Sequence, residues 1–254
     1  MRRIVGDENV NDISFRGSRS IGRKRCFMRL WQVVESREGQ SIYAELWLRG
    51  SWTDSPGVCP ECTASRSRRC SPLNIEWETG KERIGDFLWP TWSMAVNKKA
   101  RSALGDMLRG CTENPVVFIR PKKRGVYPRD ADTHDYREIV PKALPLSSVL
   151  GGRSTIRVVN SCDVCGTLRL ALDGVEDRSG KYNLSTKKTE IVTRKRDRAR
   201  GLFVNAELLQ SQGGCDLFWI EHYEGAFICT CRFKERVEQA GLSNCEFWEC
   251  GDVV

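Results

Sequence analysis

Residues 161–170 read SCDVCGTLRL, and residues 55–67 read SPGVCPECTASRS. Each holds a Cys-x-x-Cys turn, Cys162 with Cys165 and Cys59 with Cys62. The reading of these turns decides the fold, because it decides what ties together two distant parts of the chain. Cys-x-x-Cys-Gly is the pattern of a zinc knuckle. The turn brings two thiolates to one side, and the glycine permits the twist that aims backbone N–H groups at sulfur. Two such turns supply four thiolates, a closed structural site with no position left for water. That implies architecture and not catalysis. A thioredoxin-type redox pair is the alternative, but neither turn lies at the junction of a clear strand and helix. Plain tight turns whose cysteines merely pack are the remaining alternative, and two features weigh against a shared zinc site. Residues 63–161 exceed the spacing of a common zinc ribbon, and the first turn is followed by Thr63 rather than glycine.

The rest of the chain sets the context. Its 254 residues, 40% hydrophobic and 29% charged, can bury a core without covalent staples. No apolar run approaches the roughly 20 residues of a membrane span. The opening MRRIVGDENVNDIS has basic residues without an apolar stretch behind them, so no signal peptide is expected and the expected location is cytoplasmic. Thiols stay reduced there, so the 12 cysteines are expected to be free thiols or metal ligands, not a disulfide framework. Cys229, Cys231, Cys245 and Cys250 read as small core hydrophobes. The net charge of +8 is uneven: residues 201–254 carry three basic and nine acidic residues, a balance of −6 that leaves +14 on residues 1–200.

The expected fold is α+β, with mixed or antiparallel sheets, two principal helices and the four-cysteine zinc-knuckle site. Residues 1–26 read as a poorly ordered basic extension, 27–200 as the zinc-knuckle body, and 201–254 as a C-terminal β-β-α-β element packed on it. FMRLWQVV and SIYAELWL read as a hairpin. GDFLWPTWSMAV is broken in two by Pro90. Asn97 caps a helix that buries Ala100, Leu104, Met107 and Leu108, with Gly110 at a left-handed position after it. VVFIR reads as a strand, residues 121–154 as loop, and KKTEIVTRKRDRAR, residues 187–200, as a solvated connection. DLFWIEHYEGAFICTC gives two strands around a glycine turn. Thr230 then caps a helix carrying Phe233, Val237 and Ala240, Gly241 and Leu242 end it, and CEFWEC closes the chain as a strand.

No catalytic constellation is legible. His134 lies among Asp130, Asp132 and Asp135, as a solvated loop residue or a weak metal candidate. His222 follows FWIE and reads as a surface histidine. There is no phosphate-binding glycine loop and no nucleophile elbow.

GVCPEC, GDFLWPTWSMAVNKKARSAL, SCDVCG and FICTCRFKERVEQAGLSNCEFWE, in that order, resemble the double-CxxCG motif family of myxobacterial-type bacteria. The resemblance runs from about Leu30 to the C-terminus and places the paired positions at Cys59, Cys62, Cys162, Cys165 and Gly166. Thr63 and the basic N-terminal extension depart from the family's pattern. The resemblance implies structural Zn2+ and a non-enzymatic role. Some family members are immunity proteins that neutralise a cognate toxin of a contact-delivered polymorphic system. On that reading the acidic C-terminal region meets a basic toxin surface through Glu221, Glu224, Glu235, Glu238, Glu246 and Glu249. Trp219, Tyr223 and Trp248 are then candidate aromatic anchors, although core is the alternative for each. A nucleic-acid-binding zinc protein is the second reading, carried by the basic body.

Overall fold

The computed structural model describes residues 29–36, 42–43, 46–48, 53–54, 59–61, 68–69, 71–77, 83–90, 93–119, 135–151, 153–154, 156–172, 177–183, 188–194 and 201–254. The expected N-terminal extension, His134, Cys62 and Thr63 lie outside these residues.

The chain forms two six-stranded mixed sheets with three helices among the described residues. The first sheet runs in the order β10 (Lys142–Leu144), β16 (Leu217–Ile220), β17 (Tyr223–Thr230), β1 (Arg29–Val34), β18 (Glu246–Val253) and β15 (Leu202–Val204). The second runs β2 (Leu46–Leu48), β5 (Leu73–Trp77), β8 (Thr112–Ile119), β9 (Arg137–Val140), β7 (Ala95–Val96) and β6 (Phe87–Leu88). Three antiparallel ribbons complete it: β3 (Thr53–Asp54) with β4 (Arg68–Arg69), β11 (Ile156–Ser161) with β12 (Leu168–Leu172), and β13 (Asp177–Asn183) with β14 (Lys188–Arg194).

At β16 and the second half of β17 the first sheet is buried on both faces, which explains their continuous apolar runs. Along β16, Leu217 and Trp219 enter one core cluster while Phe218 and Ile220 enter another. Along β17, Phe227 and Cys229 go to the first cluster, Ala226 and Ile228 to the second. This is the strand period of two, with both faces apolar. Helices α1 (Lys98–Leu104) and α3 (Cys231–Gln239) cover one face through Ala100, Leu104, Phe233 and Val237. Leu209 of α2 (Ala206–Ser211) lies against the other. Gly251 of β18 is required by close approach: a Cβ there would stand 1.8 Å from the Leu202 carbonyl oxygen.

Local signals in the sequence are realised. Asn97 Oδ1 accepts the Ala100 amide at 2.8 Å, capping α1. Its last part tightens to a 3-10 turn at Gly105–Leu108, and Gly110 has φ +84°. The chain leaves α3 through a Schellman turn, with Leu242 N–H on Val237 C=O and Gly241 N–H on Glu238 C=O, both at 3.2 Å. Thr230 occupies the N-cap of α3, but its hydroxyl binds the Asp216 carboxylate instead of capping.

Four expectations are corrected. FMRLWQVV and SIYAELWL do not form a hairpin, because β1 uses both its edges on β17 and β18 while β2 pairs with β5 in the other sheet. Residues 188–194 are not a connection but strand β14, paired with β13. The turn between β16 and β17 is made at Glu221 and His222, the latter with φ +63°, and Gly225 lies within β17. Finally, residues 121–154 are not loop throughout, because β9, β10 and a 3-10 turn at Leu146–Ser148 lie within them. Residues 201–254 supply β15, β16, β17 and β18 to the first sheet, with β1 between β17 and β18.

Candidate metal centre

The ribbon of β11 and β12 presents the second cysteine turn. Ile156, at its base, packs against the core cluster on the α2 face of the first sheet, and Leu170 is buried. The turn closes on itself: Gly166 N–H donates to Cys162 C=O at 2.7 Å, and Cys162 N–H donates to Thr167 C=O at 3.0 Å. Gly166 has φ +68° with open space around it, so glycine is needed there for conformation and not for room. The Cys-x-x-Cys-Gly segment is a closed turn with glycine at its left-handed position.

Cys59, at the start of the turn at residues 59–61, meets this knuckle from across the sequence. Its Sγ lies 3.7 Å from Cys162 Sγ. The sulfurs of Cys59, Cys162 and Cys165 all lie within 4.8 Å of one another. A disulfide sulfur pair stands at about 2.05 Å. A tetrahedral thiolate centre with metal–sulfur bonds of about 2.3 Å has an edge of about 3.8 Å. The 3.7 Å separation fits the second, and none of the three cysteines is disulfide-bonded. These three residues can hold a metal ion, and Cys62, the fourth expected ligand, lies outside the described residues. Cys59 and Cys162 are 9% and 7% exposed, whereas Cys165 is half-buried and its Sγ lies 3.1 Å from Thr167 Oγ1. Thr167 was not singled out from the sequence; its place immediately after the Cys-x-x-Cys-Gly run is the signal that would have found it.

The other described cysteines stand apart from this group. Cys229 and Cys250 are fully buried in the two core clusters, as expected of small hydrophobes. Burial pushes both thiols well above their ordinary range, helped at Cys229 by the neighbouring Cys250, Cys245 and Asp216 and at Cys250 by Glu249 and Asp252. Burial likewise raises Cys245 and Cys111 to about 12. Such thiols stay protonated and poor as ligands or nucleophiles. Cys231 departs from the expectation: it is buried at the start of α3 and is disulfide-bonded.

The acidic candidates scatter. Glu221 is exposed and accepts the Leu146 amide at 3.1 Å. Glu235 and Glu238 are exposed on α3, and Glu238 pairs with Lys234 at 2.7 Å. Glu224 sits in the backbone of β17. Glu246 accepts the Trp248 indole N–H at 2.7 Å, and Glu249 pairs with Arg29 at 3.0 Å. Both Tyr223 and Trp248 are half-buried. Trp219 is 6% exposed, packs edge-on against Phe227 at 5.5 Å, and is part of a core cluster. His222 is exposed at the β16–β17 turn, in keeping with a surface role. Among the described residues no helix is long and apolar enough to cross a membrane. No protein-family model matches the chain, and neither does any curated protein.

Proposed function

We propose that this is a non-enzymatic, zinc-stapled binding protein of the double-CxxCG type, acting as an immunity protein that neutralises a cognate toxin. The observation that carries the reading is the meeting of Cys59 with Cys162 and Cys165 across the sequence, with sulfur spacing suited to a tetrahedral thiolate centre. On this reading Cys62, the partner of Cys59 in the first Cys-x-x-Cys pair, would be the fourth ligand. Zinc favours such a donor set because it takes thiolates without redox change and accepts tetrahedral geometry at no cost in ligand field. A centre closed by four protein ligands holds sequence-distant segments together and leaves no coordination position for a substrate. The chain's work is then done by its surface. The exposed Glu221, Glu235 and Glu238 supply negative charge that would complement a basic toxin.

The location that goes with this reading is the cytoplasm, where thiolate ligands stay reduced. The disulfide at Cys231 argues for the opposite condition. Thiol counting on denatured protein, drawn from the host with and without reductant, decides whether that bond exists in the cell. The function itself is tested by co-expression with the products of adjacent genes in a sensitive host, with a pull-down of the same pairs. Protection together with a stable complex is expected. A chain that binds none of them, or that instead binds nucleic acid with micromolar affinity lost steeply as salt rises, removes the immunity reading.

A further inference from the structure

We infer that Thr167 is a positioning residue for the metal centre, holding the Cys165 thiolate through its hydroxyl. This rests on the metal reading above. The three described ligand cysteines are not equivalent. Cys59 and Cys162 are buried, while Cys165 is half-buried and follows Val164, which is 65% exposed at the tip of the turn. Of the three described ligands, Cys165 is therefore the one that water and competing chelators reach most readily. Thr167 sits where it can counter this. Its carbonyl oxygen accepts the Cys162 N–H at 3.0 Å, which fixes its backbone to the buried side of the knuckle. Its Oγ1 stands 3.1 Å from Cys165 Sγ. A metal-bound cysteine has lost its proton, so in the loaded centre the hydroxyl must be the donor and the sulfur the acceptor. Threonine suits the role because branching at Cβ restricts χ1 and keeps the hydroxyl in place. One residue thus spans both cysteines of the turn, by backbone to one and by side chain to the other. Groups that hold metal ligands in this way are commonly worth 10- to 100-fold in metal affinity, roughly, when removed.

The test uses the full chain loaded with cobalt(II), whose thiolate charge-transfer and d–d bands report sulfur ligation and tetrahedral geometry. Thr167→Val keeps the shape and removes the hydroxyl, and Thr167→Ser restores it. With Thr167→Val, cobalt affinity is expected to fall about ten-fold or more. The charge-transfer band should shift, and a chromophoric chelator should strip the ion faster. Thr167→Ser should return all three toward wild type. Thr167→Ala is the second variant if the valine chain does not fold. Unchanged affinity, spectrum and stripping rate in both hydroxyl-free variants overturns the inference. So does a loss of thermal stability in the metal-free chain with an unaltered cobalt spectrum, which marks an ordinary structural role. A wild-type chain that shows no sulfur-to-cobalt band overturns the metal reading as well, and that failure is visible before any variant is made.

Discussion

Cys229 and Cys162 are both buried cysteines, 0% and 7% exposed, and they sit in opposite chemical worlds. Cys229 lies on β17 among Leu217, Phe227 and Phe233, where charge is costly and the thiol stays protonated. Cys162 lies at a turn whose backbone is closed by hydrogen bonds, with a second sulfur 3.7 Å away. Burial alone therefore does not distinguish a packing cysteine from a ligand. Cys229 has thiol neighbours too, in Cys250 and Cys245, so what distinguishes Cys162 is a constrained turn that holds its sulfur within 4.8 Å of those of Cys59 and Cys165. The consequence is that the two regions should fail in different ways when perturbed.

The largest effect is expected at the knuckle. Purified protein should carry one zinc per chain by elemental analysis. Cys162→Ser should lose it and cost about 4 kcal/mol or more in urea unfolding, because metal binding is coupled to folding. A chelator should lower the melting temperature of the wild type to a similar degree. Zinc content and melting that survive Cys162→Ser would break the comparison at its root.

In the core the effect is smaller and of another kind. Cys229→Ser places a hydroxyl without an assured partner in an apolar cluster, for about 1–3 kcal/mol, with zinc content unchanged. Cys229→Ala should cost less, since it adds no polar group. If serine and alanine prove equal, the Cys229 site is not as apolar as its neighbours imply.

The same contrast separates what could be read in the sequence from what could not. The tight turn at Cys162–Gly166, the Asn97 cap and the Gly241–Leu242 ending are each specified within six or so residues, and each forms. Strand pairing is not local. Nothing within FMRLWQVV tells that β1 will be enclosed between β17 and β18 and so be closed to β2. Charge also concealed structure: Lys188, Glu190 and Arg194 suggest a solvated segment, while Thr189, Ile191, Val192 and Thr193 supply the β-branched content of β14. Asn205, an N-cap for α2 that accepts the amides of Glu207 and Leu208, was an available signal left unused. The meeting of Cys59 with Cys162 was readable only because cysteine pairs demand a counterpart, a constraint that hydrophobic residues do not impose.

Two buried carboxylates extend the comparison to pH. Burial raises Asp86, but hydrogen bonds from Asn97, from the N–H and hydroxyl of Ser243 and from Lys99 outweigh it, and the carboxyl ends below its ordinary 3.8. Its contribution is present above that value and is lost as pH falls through the lower folded one. Asp216 is the reverse. Burial dominates over Thr230 and Arg232, Asp106 adds to it, and the carboxyl ends above 3.8. Its ionisation therefore costs stability as pH rises through the folded value. In unfolding measured between about pH 3 and pH 6, Asp86→Asn should flatten the acid limb. Asp216→Asn should make stability rise more steeply with pH. Equal slopes for both variants would show that neither carboxylate is coupled to its surroundings as described.

The smallest effect on stability carries the most for function. Glu221, Glu235 and Glu238 are exposed, and the ion pair of Glu238 with Lys234 spans i to i+4 on α3. Exposed pairs of this kind are worth about 0.3–0.5 kcal/mol. Lys234 also lies 4.8 Å from the centre of the Trp31 ring, so it keeps a favourable contact when Glu238 is reversed. Reversal of Glu235 and Glu238 to lysine should thus leave melting nearly unchanged. Glu221 is the less innocent site, because reversal removes the acceptor for the Leu146 amide, and it belongs in a separate variant. If the acidic surface meets a basic toxin, the double reversal should slow association several-fold at low salt, with the difference shrinking as salt screens the charges. Protection in the sensitive host should weaken in parallel. Full protection by a folded Glu235→Lys, Glu238→Lys chain, with an association rate indifferent to salt, would take these carboxylates out of the interface and leave the partner's surface to be sought elsewhere on the molecule.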